Sequence, residues 1–252
     1  MSLEISGITK AYGGLVVLHD VSMTVGTDAL VGLIGPNGAG KSTLFAVVSG
    51  FTRPTAGTVR FEGRSLDRLA PSARVRLGLA RTFQVPREFQ HLTVLENLCA
   101  AAPRQSGERL WTLCVRPGRV RAEEEAIHQR ARGWLEFLNL ARVADARAGT
   151  LSGGQKKLLE LGRVLMLEPR MVLLDEPFAG VNPVLIGEIA ERIGELHRRG
   201  IGFVIVEHHL QALSALVKDL YVMDRGAILA QGSPQAVLAD HAVREAYMGG
   251  VA

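Results

Sequence analysis

GPNGAGKST, residues 35–43, satisfies the spacing G-x-x-x-x-G-K-[ST]. It follows an apolar run at residues 30–34 and opens a stretch with helical patterning. A strand that turns on glycines into a helix aims several backbone N–H groups at one point, and the helix N-terminus adds partial positive charge there. Such a turn is a cradle for phosphate. Gly35, Gly38 and Gly40 allow the close wrap, with Asn37 between them, and Thr43 completes the motif. Lys41 supplies a point charge for the β- and γ-phosphates, and the Ser42 hydroxyl is a candidate Mg²⁺ ligand. A glycine-rich turn with no ligand is the plain alternative. The strand before it and the helix after it argue against that reading.

Working outward, short apolar runs recur between helical patterns at residues 30–34, 171–174, 201–206 and 220–223. Runs apolar at every position suit strands covered on both faces, so an α/β fold with a mostly parallel sheet is expected. Residues 3–8 and 17–25 read as strands with one wet face, which predicts an antiparallel β-subdomain near the N-terminus. Leu185, Ile189, Ile193 and Leu196 recur at helical spacing, with Pro183 at the start of the helix and Gly200 at its stop. Residues 103–121 lose apolar periodicity and read as an irregular insertion. Arg104, Arg109, Arg116, Arg119 and Arg121 against Glu108 give it a charge of +4. A helix is expected over residues 122–138, with Glu123 to Glu125 in its first turn, where the dipole favours acids. The arginine-rich insertion reads either as a solvated loop or as a contact to anionic lipid or another protein.

A triphosphate site needs a second group of acids, and MVLLDE at residues 171–176 places Asp175 and Glu176 at the end of a buried run. Adjacent acids there are costly without a cation nearby. Asp175 is the candidate for holding Mg²⁺ and Glu176 for polarising an attacking water.

The chain has 252 residues, 47% hydrophobic and 21% charged, enough apolar side chain for one large domain or a core with a smaller subdomain. Twenty-nine basic against twenty-five acidic residues leave +4, too small an excess to announce nucleic acid. Cys99 and Cys114 match neither a disulfide framework nor a zinc pattern, which fits a reducing compartment. No run approaches the ~18 to 20 apolar residues of a membrane span, and the N-terminus lacks a signal peptide's apolar middle. The expected location is cytoplasmic, or peripheral at a membrane.

LSGGQ, residues 151–155, lies about 110 residues after Lys41 and about 20 before Asp175. This ordered set resembles the ATP-binding cassettes of ABC transporters, and the resemblance covers essentially the whole chain. It implies a P-loop ATPase core at about residues 1–84 and 152–240 that includes the β-subdomain, a helical subdomain at about 85–151, and a helical tail at about 241–252. It also implies that Tyr12 stacks on adenine, that Gln84 links the metal to the transporter, that residues 179–183 form a D-loop and that His208 is a switch histidine. By the same resemblance Ser152, Gly153, Gly154 and Gln155 contact ATP bound to a second, head-to-tail cassette. Implied partners are that second cassette (a paralogue or a copy), separate transmembrane permease subunits and, indirectly, a solute-binding protein, with no nucleic acid. Implied cofactors are ATP and Mg²⁺, and the implied location is the cytoplasmic face of the plasma membrane. His19, His91, His128, His197 and His241 are read as structural or solvent-facing.

Two departures stand out: Asn182 where many cassettes carry Asp, and His209 where Asp commonly follows the switch histidine. Together with LARTFQ at residues 79–84 and REAYMGG at 244–250, AGVNP at 179–183 looks like the ATP-binding subunits of branched-chain amino acid importers. Cassettes for urea, amides or lipopolysaccharide export look similar. Rivals from other classes are a non-transport cassette acting on DNA or ribosomes, and a small-molecule P-loop kinase.

Overall fold

The structure is a computed structural model, and it describes residues 1–82, 88–108, 111 and 115–248. The buried run Leu30–Ile34 forms β3, the glycine-rich turn follows it, and α1 runs Lys41–Val48. Strands β7 (Met171–Asp175) and β8 (Gly202–Val206) are, like β3, buried at every position, as two-sided coverage requires. With β6 (Leu79–Arg81), β9 (Asp219–Asp224) and β10 (Ala227–Gly232) they build a six-stranded sheet in the order β10-β9-β3-β8-β7-β6. Every pairing in it is parallel except that of the edge hairpin β9–β10.

A second, antiparallel sheet has the order β2-β1-β4-β5, from β1 (Ser2–Tyr12), β2 (Leu15–Gly26), β4 (Ala56–Phe61) and β5 (Arg64–Ser65). Leu3, Ile5, Val21, Met23 and Val25 point inward from this sheet and join Leu33, Leu44, Phe45, Leu173 and Val206 in one core cluster. The α/β class and the one-sided N-terminal strands are as the patterning predicts.

The chain divides into two compact units, one of residues 1–84, 169–179 and 186–252, the other of 85–168 and 180–185. In the second unit, α3 (Val94–Ala101), α4 (Pro117–Phe137) and α5 (Gly153–Leu165) pack together. LSGGQ lies within the second of these units. Gly162 explains why α5 keeps this company, since a Cβ there would lie 2.9 Å from Leu138 and 3.5 Å from Leu98.

Two local expectations are corrected. The helix expected from residue 122 begins at Pro117, because proline is at home in a first turn, so residues 117–121 are not irregular. Glu123 to Glu125 therefore sit beyond the first turn, and Glu123 instead accepts hydrogen bonds from Ser106 and Arg119. In α6 (Pro183–Arg198) the buried face opens with Ile186, not Leu185; Leu185 packs over Gly154 instead. Among the described residues, no helix is long and apolar enough to cross a membrane.

Gly35 shows how tightly the turn after β3 is built. Its φ is 150°, and a Cβ would lie 2.0 Å from the Met223 carbonyl oxygen, a backbone atom with no room to yield. Gly35→Ala is expected to cost on the order of 3 kcal/mol through strain and overpacking, read as a lower urea midpoint.

Candidate functional site

The glycine turn and α1 line a cleft of about 270 Å³ with Asn37, Gly38, Gly40, Lys41, Ser42 and Thr43, and Glu176 and His208 line it as well. Gly40 is the N-cap of α1 at φ 98°, with no side chain capping the helix, so its first N–H groups stay open to an incoming anion. The Lys41 ammonium is folded onto the loop, donating to the carbonyl oxygens of Gly35 at 2.7 Å and Pro36 at 2.9 Å. Burial holds its pKa below the usual lysine value, while Glu176 and then Asp175 pull it back up. The net effect is a cation already surrounded by acceptors, ready to exchange backbone oxygens for phosphate oxygens.

Strand register gathers the acids and the histidine. Leu33 of β3 and Asp175 of β7 both pair with Val206 of β8, so the segments after these strands leave side by side at the carboxyl edge of the sheet. Ligands of open α/β sheets bind at that edge. His208 Nε2 lies 3.3 Å from Glu176 Oε1. Glu176 sits at φ 51°, a left-handed conformation costing about 1–3 kcal/mol for a side-chain-bearing residue. It is held there by its own N–H donating to Val206 O at 2.9 Å and by Ala179 N–H donating to its carbonyl.

Asp175 is 3% exposed. One carboxylate oxygen accepts from Arg81 Nη2 at 2.8 Å; the other is buried without a hydrogen-bond partner. That orphaned oxygen, on a carboxylate close enough to act electrostatically on Lys41, suits a hard cation. Among the described residues no group of three or more His, Cys, Asp or Glu could hold a metal alone. Ser42 and Asp175 make an incomplete set of oxygen donors, the kind Mg²⁺ accepts when phosphates and waters complete its shell.

The structure does not bring every expected residue to this cleft. Tyr12, 50% exposed at the end of β1, is not among its lining residues; the Lys10 ammonium stands 4.6 Å from its ring centroid. Gln84 lies outside the described residues. Ser152, Gly153, Gly154 and Gln155 belong to the second unit, where Ser152 caps α5 and shares a reciprocal capping box with Gln155. Gly154 is required for packing, since a Cβ would meet Leu185 at 1.7 Å.

Three residues escaped the sequence reading. Arg81 and Glu207 stand beside expected site residues, but a charged side chain at a strand end does not announce its partner. Tyr247, from α9 (His241–Met248), brings its phenol against the Gly35 backbone without an aligned hydrogen bond; burial pushes its pKa up to about 12 against the pull of that backbone.

Known proteins resemble this chain along nearly its whole length. The ABC transporter family profile matches residues 18–179, and that of the branched-chain amino acid ATP-binding cassette transporters matches residues 227–252. A probable branched-chain amino acid transport ATP-binding protein, LivG, of Archaeoglobus fulgidus is 41% identical over 98% of this chain and 95% of its own. The high-affinity branched-chain amino acid transport ATP-binding protein BraF of Pseudomonas aeruginosa is 37% identical over 98% of this chain and 97% of its own. An ATP-binding cassette of an ABC transporter, crystallised in its ADP conformation, superposes with a TM-score of 0.83 at 38% identity over 99% of both chains. The chain therefore belongs to the ABC transporter family, as an ATP-binding cassette of the branched-chain importer type.

Proposed function

We propose that this chain hydrolyses ATP for an importer of branched-chain or related amino acids, pairing head-to-tail with a second cassette on the cytoplasmic face of the membrane. The observation that carries the reading is the cleft in which Glu176 and His208, 3.3 Å apart, face Lys41, Ser42 and Thr43.

In this reading the N–H groups of residues 38–43 and the Lys41 ammonium hold the phosphates, while Tyr12 offers a ring face to adenine. Ser42, Asp175 and Gln84 hold Mg²⁺, which supplies charge neutralisation for the phosphates. Glu176 accepts the proton of the attacking water, and His208 orients the γ-phosphate. Ser152, Gly153, Gly154 and Gln155 serve the nucleotide of the partner cassette, with the Ser152 hydroxyl capping the Gln155 N–H at the start of α5. Closure of the pair moves permease subunits docked near residues 85–98, and a solute-binding protein delivers the cargo to them. The names of the relatives favour this cargo over urea, amides or lipopolysaccharide.

Co-purification with a multi-span permease, and ATP-dependent uptake of leucine-like solutes lost without this subunit, is the expected result. Ribosomal or nucleic-acid partners, or a phosphorylated small molecule in place of free phosphate, would overturn it. Lys41→Ala should weaken MgATP binding about 10- to 100-fold in calorimetry, the worth of a lost charge-assisted contact. Glu176→Gln should keep ATP binding, cut turnover by at least about 100-fold and accumulate a nucleotide-held dimer on size exclusion.

A further inference from the structure

Glu207 is a carboxylate at the end of β8, 3% exposed, and it does not line the nucleotide cleft. Its two oxygens face two different loops. Oε1 accepts the N–H of Phe178 at 2.6 Å, on the segment that follows Glu176. Oε2 accepts the N–H groups of His208 at 2.8 Å and His209 at 3.1 Å. A buried carboxylate is tolerated where N–H donors replace water on both oxygens, and bonds to a charged acceptor are stronger than neutral ones. The bond to Phe178 joins residues 29 positions apart in sequence.

The backbone ties of Glu176 to Val206 and Ala179 are neutral, and its side chain meets His208 Nε2 at 3.3 Å. Its backbone is left-handed and is held to β8 by the neutral bond to the Val206 carbonyl, ahead of the segment's return at Ala179. Without Oε1, the Phe178 N–H would lose its acceptor, and the Glu176–His208 side-chain contact would no longer be backed by a backbone tie from Glu207 to both loops. A serine or threonine at position 207 could not span both loops, because one hydroxyl oxygen on a short side chain lacks the reach.

From this geometry we infer that Glu207 is a positioning residue that latches the Glu176 loop to the His208 loop and sets the gap between the two side chains that act on the nucleotide. The inference rests on the roles proposed above for Glu176 and His208. Glu207 acts through backbone N–H groups of the two loops and is not among the residues lining the cleft.

The decisive variant is Glu207→Gln, which keeps shape and volume but turns an NH₂ donor toward one set of N–H groups. Turnover is expected to fall about 10- to 100-fold. ADP affinity by calorimetry should stay within about threefold and the melting temperature within a few degrees, because neither the phosphate loop nor the core is touched. Amide hydrogen exchange should accelerate at Phe178, His208 or His209, and not at residues 38–43. Unchanged exchange at all three amides, unchanged turnover, or a loss of ADP affinity and melting temperature in step with turnover would each overturn the latch. Faster exchange together with near-normal turnover of Glu176→Gln separates the two ideas: the latch then stands as a structural tie, and the water-activating role of Glu176 fails.

Discussion

Parallel pairing among β3, β8 and β7 is the constraint on which the rest of the site depends. With Leu33 and Asp175 both opposite Val206, three chains leave the sheet at one level, and each carries something different. The first delivers the glycine turn and Lys41, the second His208, the third Asp175 and Glu176. Parallel strands buried on both faces have little freedom to slip, since a one-residue shift would invert every side chain. The relative heights of the phosphate cradle, the acids and the histidine are therefore set by core packing of residues that never touch a ligand.

The charges gathered there balance one another only in part. Lys41 is desolvated, one oxygen of Asp175 has no partner, and Glu176 is held in a conformation that side chains avoid. These are deficits that a bound polyanion and its cation would relieve, and such deficits cluster at working sites. Arg81 limits the cost by holding the second Asp175 oxygen while its own guanidinium stands 5.7 Å from the Phe45 ring centroid. The arrangement leaves one acid oxygen committed and one open.

Both departures from the family pattern keep a hydrogen bond that caps a turn. His209 accepts the N–H of Ala212 through Nδ1 and caps α7 (Leu210–Leu216), the task a short acid performs at the start of a helix. Asn182 accepts the N–H of Leu185 at 2.9 Å and does the same for the first turn of α6. Neither position needs a negative charge to satisfy an open N–H, so the substitutions alter local electrostatics and leave the turns in place.

Much of this was legible before any coordinates. Glycine spacing, apolar runs buried on both faces and the order of the motifs are local signals, and each identified its element because backbone geometry and burial act over a few residues. The start of α4 lies ahead of the apolar periodicity because Pro117 fits a first turn, where no apolar residue is needed to mark the helix. Leu185 was assigned to the core face because helical spacing alone does not say which neighbour covers a residue, and its neighbour is Gly154. The ties of Arg81 to Asp175 and of Glu207 to Phe178 join residues 94 and 29 positions apart. No periodicity encodes such a pair: its partners meet only when strands from distant parts of the chain align. The sequence by itself determined which groups act on phosphate, and the tertiary structure decided what holds them at the right distance.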